Sequence, residues 1–415
     1  MLQAQGVPSH VAEPYVSLDV VVPSYRADHA LLDRILALPV PPRTVTLFVI
    51  QLDNPASPAA QATRAALDAA HRDNPWVRVR MNPVNVGASE TRNRGLRESA
   101  ADFVLFLDDD VVPDRAILAA YVASIRANPR ATGFIGPTVL PDVATVRQAA
   151  VHLAEVSFFW DIATRMPTER HLPWGVTANL CVRRDPDGRL RFNRAFPRTG
   201  GGEDIDFCLK ARAWHLAADP TADGFVATPN AVASHPYLEG GACPLAHFSG
   251  WSYGDGHLID LYPDLSYRNL PELAEALLLG AIVTSVAAAQ HPHPAVVAGT
   301  AMTVAAAWIV ADVGFLLVRQ LSNPGVAPVV QRLSWGAYLA ACADAVLVRT
   351  WSEGGRLLGH WHRRRLPVNL FRRFNWFGTM WPGAVAVERR RTAETWLVRT
   401  AVAAAALWFL KQRSA

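Results

Sequence analysis

The 415-residue chain is poor in cysteine, nearly devoid of lysine and low in charge. Its four cysteines, Cys181, Cys208, Cys243 and Cys342, lie far apart with no CxxC pair. That excludes a disulfide framework and a zinc site of ordinary spacing. Lys210 and Lys411 are the only lysines, so a glycine-rich, lysine-bearing phosphate loop of nucleotidyltransferase type has no candidate: the first loop reads PSYRADHALL. Charged residues make up 18%, against about 25% in an ordinary soluble domain. With 51% hydrophobic residues and a mean hydropathy of +0.11, a disordered chain is excluded and a wholly soluble globule is disfavoured. Repeats of 20–50 residues and low-complexity tracts are absent. The start, MLQAQGVPSHVAEP, has no basic segment followed by an apolar one, so no secretory signal is expected.

Charge is unevenly spread. Residues 319–415 hold 15 Arg or Lys and 4 Asp or Glu, leaving 25 basic and 32 acidic residues in 1–318. The basic tail interleaves its arginines with Trp, Leu and Phe and follows two long apolar runs. This pattern fits attraction to an anionic membrane surface better than nucleic-acid binding, and no nucleic-acid partner is expected.

From Ser17 the chain alternates short β-branched apolar runs with helical spacings. SLDVVVP (17–23), VTLFVIQLDN (45–54), WVRVRMNP (76–83) and DFVLFLDDD (102–110) read as strands; 28–38, 58–72 and 88–100 read as helices. Such alternation predicts an α/β fold, a doubly wound, mostly parallel sheet with helices on both faces. Ligands then bind beyond the carboxyl ends of the strands.

Two acidic clusters stand out. Asp108, Asp109 and Asp110 end an all-apolar strand, where adjacent carboxylates repel unless a cation or donors offset them. Oxygen ligands there suit Mg²⁺ or Mn²⁺, which bind through one or two carboxylates plus substrate phosphates. GGGEDIDF (200–207) places Glu203 and Asp204 at a helix start behind three glycines, which let the backbone approach a ligand closely.

VVPSYRAD (20–28), VIQLDNPAS (49–57), NPVNVGASETRNRGL (82–96), FLDDDVVP (106–113) and GGGEDIDF occur in that order. Together they resemble the family-2 glycosyltransferases of the GT-A fold, over about residues 17–240. The resemblance implies an inverting, metal-dependent transfer of one sugar from a nucleoside-diphosphate sugar to a hydroxyl of a glycan, glycolipid or other lipid-linked acceptor. It implies that Pro23 and Tyr25 border the base, that Asp53 accepts from a ring N–H, and that Asn85 and Gly87 close over the nucleotide with Arg92 and Asn93 at the helix start. Asp108 and Asp109 would contact the nucleotide, Asp110 the Mn²⁺ or Mg²⁺ ion, with Asp108 as a further candidate ligand and His235 as a metal or diphosphate ligand. Asp204 would be the base and Glu203 would hold sugar hydroxyls, in a pocket walled by Trp174, Gly175, Asn179, Gly201 and Gly202. Processive relatives carry QxxRW; the nearest string here, QRLSW (331–335), has Ser334 at the arginine position. That favours single-sugar transfer. A polyprenyl-phosphate acceptor and a non-catalytic sugar-nucleotide-binding protein are the alternatives.

The expected domains are a lead-in (1–14), a GT-A domain (15–260), a transmembrane hairpin (261–320) and basic interface helices (321–415). Runs 273–290 and 295–318 are near the roughly 20 apolar residues that cross a bilayer. Segments 333–348 and 396–410 are expected to lie along the interface with Trp335, Trp376 and Trp396 at headgroup level. The positive-inside tendency places the catalytic domain at the cytoplasmic face of the inner membrane. A chain cut after Tyr267 is expected to be soluble and still bind nucleotide. The sugar, base, acceptor and oligomeric state are left open.

Overall fold

The computed structural model describes residues 14–322 and 333–414. The lead-in before Pro14 and the start of the QRLSW string lie outside the described residues.

Seven strands form the central sheet: Val16–Ser24 (β1), Phe48–Leu52 (β2), Val77–Met81 (β3), Phe103–Leu107 (β4), Ala131–Ile135 (β5), Asn179–Arg183 (β6) and Asp223–Ala227 (β7). Their spatial order is β7-β5-β6-β4-β1-β2-β3, with the short strand Thr44–Val45 added beside β1. Every pairing on this path is parallel except the two made by β6, which runs against both β4 and β5. β2 and β4 are buried along their whole length, as strands covered on both faces must be. This is the GT-A architecture, a mixed but mostly parallel α/β sheet followed by apolar helices.

Helix starts follow local chemistry. Helix His29–Leu36 (α1) is capped by the Asp28 carboxylate, which accepts from Leu31 N–H. Pro58–Ala70 (α2) starts with Ser57 as cap and a proline in its first turn. Ala88–Glu98 (α3) begins at Gly87, whose φ of +82° is open only to glycine without strain.

The C-terminal part is a set of long helices: Leu245–Leu261 (α4), Leu273–Gln290 (α5), Pro294–Ser322 (α6), Trp335–His362 (α7) and Ala384–Ser414 (α8). Among the described residues three segments are long and apolar enough to cross a membrane: Leu273–Gln290, Pro294–Ser322 and Ala384–Gln412. The 18 residues of α5 rise about 27 Å, close to the roughly 30 Å hydrocarbon thickness. Their apolar faces stay largely uncovered by protein, which fits membrane association.

Two C-terminal expectations change. Segment 333–348 is not a short interface helix but the first half of α7, which packs along α4 and Val146–Leu153. Ala341, Cys342 and Ala345 are fully buried there, and a Cβ at Gly355 or Gly359 would overlap the α4 backbone at Ser249 or Tyr253. Small residues on one face let the two helices approach. Segment 396–410 is likewise the distal half of α8, a third candidate span. Catalytic-body structure also continues past 260: strand Ser266–Arg268 pairs antiparallel with Arg372–Phe374. That pairing brings Trp376 to the catalytic body, where its carbonyl accepts from Trp174 Nε1 at 3.0 Å.

Candidate active site

A cavity of about 1720 Å³ opens beyond the carboxyl ends of β1, β2 and β4 and runs to the bases of α6 and α8. Pro23, Tyr25, Asp53, Asn85, Gly87 and Arg92 line its mouth, together with all three carboxylates of Asp108–Asp110. Tyr25 is 56% exposed, its ring free to stack on a planar ligand.

Asp53 is buried and already engaged. Its carboxylate accepts from Asn82 Nδ2 (2.8 Å) and from the backbone N–H groups of Val86 and Gly87 (2.9 Å each). Asn85 Oδ1 also accepts from Gly87 N–H at 3.1 Å. Asp53 therefore fixes the loop that Asn85 and Gly87 form.

The acid triplet divides its work. Asp108 Oδ1 accepts from Arg92 Nη2 at 2.9 Å. Asp109 is buried and accepts from Ser24 Oγ (2.8 Å), Arg26 N–H (3.0 Å) and Arg26 Nη1 (2.7 Å). Asp110 accepts from Arg26 Nη2 at 2.9 Å and lies 3.3 Å from His235 Nε2. Burial pushes the Asp110 carboxyl up; His235 and Arg26 oppose this while Asp108 and Asp109 add to it. Arg26, which the sequence did not single out, thus neutralises part of the triplet; its only signal was its position directly after the PSY turn.

Among the described residues, no three His, Cys, Asp or Glu side chains converge closely enough to form a metal site unaided. Asp110 and His235 nevertheless fit a divalent ion that takes its remaining ligands from phosphate oxygens and water. The Pro236 carbonyl, 2.6 Å from His235 Nδ1, can only accept, so Nδ1 carries a proton. Nε2 then faces the Asp110 carboxylate at 3.3 Å, a pair that a proton or a metal cation can bridge.

The second acidic cluster follows a run of backbone that needs glycine. Gly200, Gly201 and Gly202 have φ of +93°, +124° and +88°, and a Cβ on Gly201 would come within 2.6 Å of Trp251 O. The turn delivers Glu203 to the start of helix Glu203–Ala218. The buried Glu203 carboxylate accepts from Arg92 Nη1 (2.9 Å) and Gly201 N–H (2.6 Å). Burial pushes the Asp204 carboxyl up to about 8; Glu203 adds to this and Arg92 opposes it. Asp206 is fully buried, accepting from Lys210 Nζ (2.6 Å) and Tyr262 OH (2.7 Å).

Trp174, Gly201 and Gly202 line the cavity, and Trp174 stacks on Phe159 at 4.2 Å. Three expected site residues do not. Asn93 gives its whole amide to the Phe192 backbone, donating to its carbonyl at 2.9 Å and accepting from its N–H at 2.8 Å. Asn179 is fully buried, donating to Pro137 O and Ala231 O and accepting from Tyr121 OH. Gly175 packs on Ile135, which leaves no room for a Cβ. These three hold the scaffold. In their place Trp160 and Trp251 line the cavity, with the Trp160 ring edge-on to His235 at 4.7 Å.

Residues 19–187 match the family model described as glycosyl transferase family 2. The chain carries a family-2 glycosyltransferase domain. The match includes the acid triplet and ends before Glu203. Curated proteins gave no match. Among solved structures the glycosyltransferase is similar to a mannosyltransferase of Pyrobaculum calidifontis in complex with GDP-Man and Mn²⁺, at 16% identity, TM-score 0.44, covering 87% of this chain and 90% of that one. It is also similar to S. aureus TarS, at 15% identity, TM-score 0.37, covering 59% and 39%. A third is GalNAc-T7 with UDP, GalNAc and Mn²⁺, at 13% identity, TM-score 0.41, covering 58% and 48%.

Proposed function

We propose that this glycosyltransferase moves a single sugar, with inversion, from a nucleoside-diphosphate sugar to a hydroxyl of a glycan, glycolipid or lipid-linked acceptor at the cytoplasmic face of the inner membrane. One observation carries the reading. Arg92 bonds Asp108 on one side and Glu203 on the other, so the strand-end triplet and the helix-start pair face a single cavity. Asp110 and His235 would hold a divalent ion, Mn²⁺ or Mg²⁺. When bound, such an ion stabilises the negative charge that develops on a departing diphosphate.

The chain's own residues supply the rest. Tyr25 and Pro23 border the base, and Asp53 fixes the loop beside it. Arg26 and Arg92 bring positive charge to the phosphates, as charge-assisted donors do best in a confined site. Asp204 takes the proton of the acceptor hydroxyl, whose oxygen bonds to the anomeric carbon as the carbon–oxygen bond to the diphosphate breaks. A carboxylate held near neutral pH suits a general base. Glu203, paired with Arg92, orients sugar hydroxyls, and Trp174 offers an apolar face to the sugar ring.

A thermal-shift screen of sugar nucleotides and nucleoside diphosphates, with and without Mn²⁺, tests this. A metal-dependent rise in Tm for one base, with slow hydrolysis of the matching sugar nucleotide, is expected. A flat response across all bases sinks the reading.

A further inference from the structure

The cavity does not end at the sugar pocket. Its far end is lined by Glu155 and by three arginines from three helices: Arg319 in the last turns of α6, Arg349 in the middle of α7, and Arg391 near the start of α8. α6 and α8 are candidate spans, so the cluster sits where the apolar segments leave the catalytic body.

Close pairing there is uneven. Glu155 accepts from Arg319 Nη2 (2.7 Å) and Arg391 Nη1 (3.1 Å). Burial alone would raise the Glu155 carboxyl; Arg391, Arg319 and Arg349 overcome it and hold the group at about 2. That carboxylate bonds two of the three guanidinium groups and lies near the third. Glu388 lies 3.6 Å from Arg391 with its side chain 46% exposed. Arg349 also faces Glu353, Glu272 and Glu388; burial and Glu272 push the Glu353 carboxyl well above the usual carboxylate range. Among the described residues Arg349 makes no hydrogen bond or ion pair. A guanidinium that lines a cavity and makes no hydrogen bond keeps its N–H donors available for an anion. Its planar fork matches phosphate oxygens.

We propose that Arg319, Arg349 and Arg391 form an anion site for a phosphate or diphosphate group carried by the acceptor. The inference rests on the transferase reading only in calling the ligand the acceptor. Phe315, Val318 and Val387 line the same end of the cavity and provide an apolar wall for a hydrocarbon chain attached to that group. A lipid phosphate and a soluble phosphorylated acceptor share the recognised chemistry.

The test uses full-length protein in detergent with EDTA, which keeps metal-bound diphosphate out of the donor site. The probes are farnesyl diphosphate, inorganic pyrophosphate and farnesol, followed by calorimetry. Wild type is expected to bind the diphosphates, and Arg349→Gln to weaken them by about tenfold or more, the size of a lost charge-assisted contact. Arg349→Lys, keeping charge without the fork, should fall between. Tighter binding of farnesyl diphosphate than of pyrophosphate supports a lipid source, and equal binding a soluble one. Farnesol binding as well as farnesyl diphosphate, or unchanged affinity in Arg349→Gln, overturns the site. Donor binding with Mn²⁺ should be the same in Arg349→Gln as in wild type. If no sugar nucleotide binds wild type, the transferase reading fails while Arg349-dependent diphosphate binding still stands.

Discussion

Arg92 Nη1 donates to Glu203 Oε1 at 2.9 Å across 111 residues of chain, with both side chains almost wholly buried. The same guanidinium reaches Asp108 at 2.9 Å. The pair joins the strand-end triplet to the helix-start acids across the cavity, and among the described residues the buried carboxylate has no other cation in contact.

Removing Arg92 should therefore cost far more than a surface charge does. Arg92→Ala leaves Glu203 buried and unpaired, a loss of about 3–5 kcal/mol. Adding Glu203→Gln should recover part of it, because the orphaned charge is then gone. Denaturant melts of both variants in detergent check this; additive losses would mean that the pair is not coupled.

Asp204 is the expected base, and its environment sets a pH signature. Its carboxyl lies at about 8 rather than near 4, from burial first and Glu203 second. Below that value the group is protonated and cannot accept a proton; the active form is gained as pH rises. The kcat/KM profile should thus rise about tenfold per unit and level off near pH 8. Asp204→Asn should keep donor affinity, lose about 10²–10⁴ in kcat and lose that limb. A full rate in Asp204→Asn, with Glu203→Gln inactive, would exchange their roles.

Asp110 and His235 should show their role through metal-linked stability. In EDTA, Asp110→Asn should melt no lower than wild type, because it removes a carboxylate that burial disfavours. With Mn²⁺ and nucleoside diphosphate, wild type should gain Tm, about 2.7 kcal/mol of stability at a hundredfold excess over Kd, and Asp110→Asn should gain none. A metal response that survives in both Asp110→Asn and His235→Ala would move the ion elsewhere.

How far the sequence carried the reading depends on what each residue faces. Strands β1, β2 and β4 were legible because burial on both faces writes a continuous apolar run, and the triplet was legible because acids rarely end such a run. Asn93 and Asn179 read as site residues yet bond the scaffold away from the cavity, because an amide that satisfies a buried backbone and one that binds a ligand look alike in sequence; only the partners differ. Arg26 was missed because a long side chain can fold back onto the next strand end. α7 was read as an interface helix because Asp344 interrupts its apolar run. Yet Gly355 and Gly359, one helical turn apart, already signalled close helix packing.

That packing also decides the last prediction. The sequence suggested that a chain cut after Tyr267 would be soluble and still bind nucleotide. In the structure the cut removes α7 from α4 and from Val146–Leu153, uncovering buried Phe248 and Leu153. It also removes the strand paired with Ser266–Arg268 and the Trp376 carbonyl that Trp174 bonds. Exposing several large apolar side chains at about 1.5–3 kcal/mol each exceeds what a domain can lose. The truncated chain should aggregate or show no nucleotide-induced rise in Tm, whereas Gly355→Leu in the full chain should lower Tm by wedging α7 from Ser249. The full-length protein, with three apolar helices, should stay in the membrane pellet through a carbonate wash. A soluble, nucleotide-binding fragment ending at Tyr267 would show that α7 merely rests on the catalytic body; release of the full chain by carbonate would show that the three helices do not span.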